Sequence, residues 1–360
     1  MSKDNTLENL RRCIDQIDAQ VEDLISERVR LAQRIAELKR EGGEACYYRP
    51  DREARVLRQV IERNKGPLSD QDMARLFREI MSASLAAEAQ VTVGYLGPEG
   101  TYTQSAALKH FGRSVQTQPL ATIPEVFGVV EKGQAQFGVV PVENSTEGVV
   151  THTLDMFMDS TLQICGEVHL RIHHQLIGKG ESLAGIERVL AHSQSFAQCR
   201  RWLAQHLANA EAIAVTSNAE AAKRITNDVK AAAIASSAAA EFYHLNVLSA
   251  DIEDDPGNTT RFLVIGNTRS GPSGHDKTSL LVSSPNKPGA LYRLLRPLAE
   301  YGVSMTRIES RPSRKGAWDY VFFIDIEGHA DDPGIAPVLE ELKQEAAFVK
   351  LLGAYPQAVL

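Results

Sequence analysis

With 360 residues the chain has room for two or three domains of ordinary size. Its 43% hydrophobic and 24% charged residues exclude a disordered or fibrous chain. A formal net charge of -7 offers no electrostatic footprint for nucleic acid or an anionic membrane surface, so any anion binding must come from local clusters.

Residues 1–90 read as all helix. The polar start, MSKDNTLENL, carries no basic-then-apolar signal pattern, and no later run is apolar enough to span a bilayer, so a cytoplasmic location is expected. Asn5 and Glu8 suit a capping box, and Gly42-Gly43 stops the first helix. Pro50 suits the first turn of a second helix ending near Gly66, and Ser69 caps a third. An apolar stripe runs down the first helix through Leu7, Leu10, Ile14, Ile17, Val21, Leu24, Leu31, Ile35 and Leu38. If continuous, this helix is about 50 Å long at 1.5 Å per residue. Neither successor is long enough to cover the stripe. A second copy of the chain laid against it is the economical solution, which predicts an intertwined helical dimer.

Where the stripe expects its next apolar residue, the sequence places Arg28. A cation on a core-facing stripe is costly unless an anion meets it. Taken alone, Arg28 is as well explained by snorkelling to water or pairing with a nearby Glu. Other polar intrusions join it, however. Lys39 lies about three turns further along the same face, with Arg11 and Asp18 flanking the stripe. Arg52 and Glu53 continue the row of Val56, Leu57 and Val60, and Met73, Phe77 and Ile80 give way to Ser84 and Glu88. Helices sharing Arg, Lys, Ser and Glu are suited to enclose a small dicarboxylate, and a buried structural ion-pair network is the alternative.

From Val91 the pattern changes to short β-rich runs alternating with helices: VTVGYLG, FGVVPV, RVLAHS, AAAIAS and RFLVIG. This predicts an α/β domain ending near Gly266. The turns GPEGTYTQSA, PVENSTEG, AHSQSFAQ, TSNAEAAK and ASSAAAEF each follow a strand-like run and open a helix. Singly each is a helix cap; converging beyond the strand ends they would form an anion-binding cleft. There is no GxGxxG after the first strand and no P-loop, so a nucleotide cofactor is not expected.

The segment TRSGPSGHDK, residues 268–277, has the composition of a linker. Beyond it the order is strand (Ser279 to Ser283), helix (Pro288 to Tyr301), strand (Ser304 to Arg311), strand (Trp318 to Ile326), helix (Pro333 to Glu345) and strand (Val349 to Leu352). That βαββαβ order is a ferredoxin-like unit. Cys13, Cys46, Cys165 and Cys199 lack CxxC or metal-ligand spacing and are expected to be reduced thiols, with no metal site.

The first region resembles the helical chorismate mutases through Leu10-Arg11, Glu27-Arg28, Lys39, the RPDREARVL run and LFREIMSASLAAE. The resemblance implies that Arg28, Lys39 and Glu88 act on chorismate, that Arg11, Arg52, Glu53 and Ser84 help bind it, and that Arg11 reaches into a partner's site. The implied reaction is a pericyclic rearrangement to prephenate that needs no metal or cofactor, only a held conformer and charge stabilisation at the breaking ether bond. Some relatives carry Gln where Glu88 stands. An acid there donates to the ether oxygen only when protonated, so activity is expected to rise as pH falls. Arg49 or Tyr48 stands near where some relatives use Asp.

The middle region resembles prephenate dehydratase along its length, through GPEGTYTQSAAL, VPVENSTEGVV, AHSQSFAQC and, above all, NTTRF at 258–262. By that likeness Thr260 stands at the leaving hydroxyl of prephenate, which loses carbon dioxide and hydroxide to become phenylpyruvate. Arg261 and Phe262 would complete the motif, and Thr101, Asn144, Ser145, Gln198 and Ser236 would line a cleft between two subdomains of a periplasmic-binding-protein-like fold. Ala191 and Ser193 depart from residues common in relatives, and His192 is read as structural. The last region, with NKPGAL and ESRP, resembles an ACT regulatory domain. The implied phenylalanine site comprises Gly289, Ala290, Leu291, Glu309, Ser310, Arg311 and Pro312.

Together these likenesses divide the chain into residues 1–90, 91–267 and 278–360. They imply a multidomain, cofactor-free enzyme of phenylalanine biosynthesis, a homodimer or higher homo-oligomer with no nucleic acid or membrane partner. A non-catalytic small-acid sensor with an ACT module is the alternative.

Overall fold

The computed structural model describes residues 7–42, 48–284, 287–313 and 320–360. The expectations at Asn5, Gly43, Cys46, Asn286 and Trp318 lie outside the described residues. No helix is long and apolar enough to cross a membrane among the described residues.

The first body is three helices, α1 (Leu7–Glu41), α2 (Pro50–Arg63) and α3 (Asp70–Glu88). Pro50 occupies the first turn of α2, and the Ser69 hydroxyl accepts from the Asp72 amide at 3.1 Å to start α3. At 35 residues α1 extends about 52 Å. Ala36 is its buried residue, and the predicted apolar stripe stands in solvent, from 46% exposed at Val21 to 66% at Leu7.

The second body has two α/β lobes. In the first, β1 (Thr92–Leu96), α4 (Tyr102–Phe111), β2 (Gln116–Leu120), α5 (Ile123–Glu131), β3 (Phe137–Asn144), β4 (Gly148–Val149), α6 (Thr151–Asp159) and β5 (Gln163–Arg171) follow one another. The chain then crosses into the second lobe: β6 (Gln175–Gly178), β7 (Arg188–Ala191), α7 (Ser193–Gln198), α8 (Arg200–His206), β8 (Glu211–Ala214), α9 (Asn218–Arg224), β9 (Ala231–Ala235), α10 (Ser237–Phe242) and β10 (Asn246–Ser249). It returns as β11 (Thr259–Gly266), which inserts antiparallel between β3 and β5. The sheet orders are β2-β1-β3-β11-β5, with β4 on β3, and β10-β6-β9-β7-β8. Two crossings join the lobes, and the cleft lies between them.

The third body is β12 (Asp276–Ser284), α11 (Ala290–Glu300), β13 (Met305–Pro312), β14 (Tyr320–Glu327), α12 (Ala336–Glu345) and β15 (Phe348–Pro356), an antiparallel sheet ordered β13-β14-β12-β15. The predicted βαββαβ order holds. Leu294, Leu298, Val338 and Leu342 of its helices cover one face. The other face contributes Leu281, Phe323, Leu352 and Tyr355 to the core of the first lobe, with Phe157, Ile164 and Leu263. Gly353 permits this close stacking, since a Cβ there would collide with the Ile164 backbone.

Residues 268–277 join the second and third bodies as a packed segment. Ser270, Ser273 and Asp276 are buried, and Arg58 of α2 donates to the Ser273 hydroxyl at 2.9 Å and the His275 carbonyl at 2.9 Å. Small polar residues here satisfy the buried donors of a packed joint, a role that composition does not distinguish from flexibility.

Candidate active sites

Arg28 of α1 faces Ser84 of α3, its Nη1 donating to the Ser84 hydroxyl at 2.5 Å, and that hydroxyl donates in turn to the Ile80 carbonyl at 2.7 Å. Around them lies a cavity of about 320 Å³ lined also by Lys39, Arg49, Arg52, Glu53 and Glu88. Four cations against two carboxylates suit a dianion. Lys39 and Arg52 line the cavity and make no ion pair among the described residues. Burial pushes the Glu88 carboxyl above its usual value, with Lys39 and Arg28 pulling the other way. Burial likewise depresses Arg28, opposed by Glu88 and Glu53.

Two predicted members stand apart. Glu53 lines the cavity, yet its carboxylate accepts from the Arg78 guanidinium, so it is engaged within the protein. Arg11 is exposed, 17 residues before Arg28 and thus about 25 Å away along the helix axis. It takes no part in this chain's cavity. Tyr48 is buried, its hydroxyl 2.9 Å from His110 Nε2, and Arg49 pairs with Asp51.

The second site is a cleft of about 450 Å³ between the lobes of the α/β body. Thr101, Asn144, Gln198, Ser236 and Thr260 all line it. Asn144 Nδ2 donates to Thr260 Oγ1 at 2.7 Å and to Asn258 Oδ1 at 2.8 Å. Asn258 donates to Gln198 Oε1 at 3.2 Å, which also lies 2.6 Å from His174 Nε2. Burial lowers the proton affinity of His174 and so favours the neutral imidazole. Its Nε2 proton then points at Gln198, while Nδ1 lies 3.1 Å from the Tyr102 hydroxyl, which donates to the His173 carbonyl at 2.7 Å. Thr101 and Ser236 cap α4 and α10, and the Ser236 hydroxyl donates to the Gly100 carbonyl across the lobes at 2.8 Å. His192 caps α7, its Nδ1 accepting from the Gln194 amide at 3.4 Å, and also lines the cleft.

Three predicted contacts are corrected. Ser145 braces the strand end, its hydroxyl accepting from the Thr259 amide at 3.0 Å, and lies outside the lined cleft. Phe262 is a core residue, 2% exposed. Arg261 is buried on the far side of the sheet, donating to Glu167 at 2.9 Å, Asp325 at 2.6 Å and the Tyr355 hydroxyl at 3.0 Å. The physical reason is strand alternation: within β11, Thr260 faces the cleft and its neighbour Arg261 faces the C-terminal sheet.

Sequence reasoning missed Asn258, His174, Tyr102 and Glu147. Glu147 accepts from Gln194 at 2.9 Å and Gln198 at 3.2 Å, bridging the lobes. Asn258 opens the NTTRF run and Tyr102 lies within GPEGTYTQSA, whereas His174 carries no local signal, because its side-chain partners Tyr102 and Gln198 lie more than 20 residues away.

In the C-terminal body, Gly289 sits at φ +75° before the first turn of α11, the left-handed conformation that glycine adopts at little cost. Ala290 and Leu291 follow it, with Leu291 exposed. Along β13, Ser310 and Pro312 are exposed, whereas Glu309 and Arg311 are turned inward. Arg311 already donates to Asp155 of α6 at 2.9 Å, so the structure assigns it to a domain contact instead of the expected ligand contact.

A family model described as chorismate mutase type II matches residues 10–89, one described as prephenate dehydratase matches 93–270, and one described as ACT domain matches 278–344. The chain is 54% identical over 365 residues to a bifunctional chorismate mutase/prephenate dehydratase of Stutzerimonas stutzeri, covering 100% of both chains. A protein of the same description from Pseudomonas aeruginosa is 53% identical, again over 100% of both. Among solved structures, prephenate dehydratase from Arthrobacter aurescens in complex with L-Phe is 35% identical with a TM-score of 0.69, covering 74% of this chain and 90% of that one.

Proposed function

The chain belongs to the family of bifunctional chorismate mutase/prephenate dehydratases, and on that premise we propose which of its residues carry each step. The enzyme rearranges chorismate to prephenate, then decarboxylates and dehydrates prephenate to phenylpyruvate on the way to phenylalanine. Full-length identity to named enzymes leaves no support for the sensor alternative.

In the helical body, Arg28, Lys39 and Arg52 take the two carboxylates of chorismate, Ser84 fixes the Arg28 fork, and protonated Glu88 donates to the ether oxygen as its bond breaks. Arg11 completes the cavity of a second copy, and the exposed α1 stripe is the surface on which that copy lies. In the cleft, the observation that carries the assignment is the Asn144 to Thr260 hydrogen bond. Because the Thr260 oxygen accepts there, its own proton is left to point at the leaving hydroxyl. The carboxylate departs as carbon dioxide, the electrons of its bond enter the ring, the carbon to hydroxyl bond breaks, and hydroxide leaves hydrogen-bonded to the Thr260 hydroxyl and takes a proton from solvent. The capped starts of α4 and α10 present amides to the carboxylates.

A solved relative holds L-Phe. Phenylalanine is placed here against Gly289, Ala290 and Leu291 at the start of α11 and the outward Ser310 and Pro312 of a paired domain. The working divisions are residues 1–90, 91–267 and 278–360.

Ultraviolet absorbance tests the assignment. With purified protein and no added cofactor, chorismate should disappear and phenylpyruvate appear. Thr260→Ala should stop the sequence at prephenate; loss of both steps together, or of neither, would overturn the separation of sites.

A further inference from the structure

The strands that carry the two cleft residues also carry, at the next position, two charges aimed the other way. In the β3 and β11 pairing Asn144 is opposite Thr260, and Glu143 is opposite Arg261. Successive strand residues face opposite sides of a sheet. The cleft therefore has a back wall one residue thick, and the C-terminal sheet is stacked on that wall.

Both charges are held by that sheet, but unequally. Arg261 is 9% exposed and donates to Glu167, Asp325 and the Tyr355 hydroxyl. Asp325 also accepts from Ser279 at 2.6 Å, and Glu167 from Lys277 at 2.9 and 3.0 Å. With every charge answered, this cluster is a fixed rivet. Glu143, by contrast, meets a single nitrogen, Arg307 Nε of β13, at 3.0 Å, and its side chain is 39% exposed. Arg307 Nη2 is buried without a hydrogen-bond partner among the described residues. A guanidinium with one contact and one unanswered donor among the described residues is the weaker of the two ties.

We propose that Arg307 is a positioning residue for the dehydratase step: through Glu143 it holds Asn144 in the geometry that orients the Thr260 hydroxyl, while the Arg261 cluster stays fixed as the pivot. Arg307 shares β13 with Ser310, three residues on, so a ligand captured at the outward face of that strand moves the tie directly. Inhibition follows from loss of the Asn144 orientation with the cleft itself still formed. The inference rests on Asn144 and Thr260 being the dehydratase pair.

The test uses the full-length chain and follows four quantities: dehydratase kcat and KM, mutase rate, phenylalanine binding by calorimetry, and phenylalanine inhibition. Arg307→Ala should lower dehydratase kcat several-fold with KM unchanged, because the lost orientation acts in the transition state. It should bind phenylalanine and keep its mutase rate, yet show at least a tenfold weaker response of the dehydratase to phenylalanine. The exchanged pair, Arg307→Glu with Glu143→Arg, should restore kcat and inhibition, which excludes a merely disrupted fold. Wild-type kcat and inhibition in Arg307→Ala overturn the proposal, as does failure of the exchange to restore either. Thr260→Ala separates the two levels of inference. If it is inactive while Arg307→Ala behaves as wild type, only the positioning role fails; if it retains dehydratase activity, the site assignment fails and the positioning role with it.

Discussion

Asn144 and Thr260 face each other across antiparallel β3 and β11, with the Asn144 amide donating to the Thr260 hydroxyl over 2.7 Å. A hydroxyl has one proton, so accepting on one side directs that proton to the other. Thr260→Ala should lower dehydratase kcat by about 10²-fold or more, and Thr260→Ser should retain most of it. Asn144→Asp exchanges the donating amide for a carboxylate that pulls the Thr260 proton away from the cleft, and should be nearly as damaging as Thr260→Ala. Phenylpyruvate absorbance reads each variant, and an unaltered mutase rate shows that the change is local.

Glu88 provides a pH test of the first site. Burial raises its carboxyl above the usual range against the opposing pull of Lys39 and Arg28. Only the protonated form donates, so mutase kcat should rise as pH falls from neutral toward the Glu88 value. Glu88→Gln donates at every pH and should flatten the profile. A wild-type rate that is level between acidic and neutral pH would sink this role.

The exposed stripe of α1 predicts assembly. Ile14, Ile17, Val21 and Leu24 all stand at 46% exposure or more, and burying each against a second copy contributes on the order of 1 kcal/mol. Ile17→Asp with Leu24→Asp should lower the sedimenting mass. Mutase activity should fall with it, because Arg11 is then withdrawn from the neighbouring cavity, while dehydratase activity persists.

Gly289 should be specific for regulation. At φ +75° a side chain is strained, and its Cβ would stand 3.3 Å from the Arg293 guanidinium. Gly289→Val should weaken phenylalanine binding at least tenfold by calorimetry and leave the mutase rate as it was.

Glu167 predicts acid sensitivity of the domain contact. Burial alone would raise its carboxyl, but His169, Arg261 and Lys277 hold it well below its ordinary 4.5. A depressed carboxyl contributes stability above the unfolded value and loses it as pH falls toward the folded one, so the loss should begin below about 4.5. Glu167→Gln leaves Lys277 and Arg261 undercompensated and should cost on the order of 3 kcal/mol at neutral pH by denaturant unfolding.

Much of this was legible along the chain. The caps at Pro50 and Ser69 and the βαββαβ order are local signals, because each depends on residues within a turn or on side-chain periodicity. The strands β2, β4, β5, β6 and β10 carry no strand-like run that the sequence analysis names. Strand β2, QTQPL, is polar and carries a proline, and its strand character comes from pairing with β1. The composition of residues 268–277 marks a connection but not its packing, since Gly, Ser and Pro occur in packed joints as readily as in free ones.

The NTTRF run shows where reading the chain stops. Its residues are consecutive, so the sequence by itself determined that a polar constellation opens a buried strand, just as it determined the long apolar stripe and the misplaced Arg28. Only the tertiary structure decided that Thr260 serves the cleft, Arg261 the C-terminal sheet and Phe262 the core. Alternation sends neighbouring residues to opposite faces, and what each face meets depends on segments as distant in sequence as Asp325 and Tyr355.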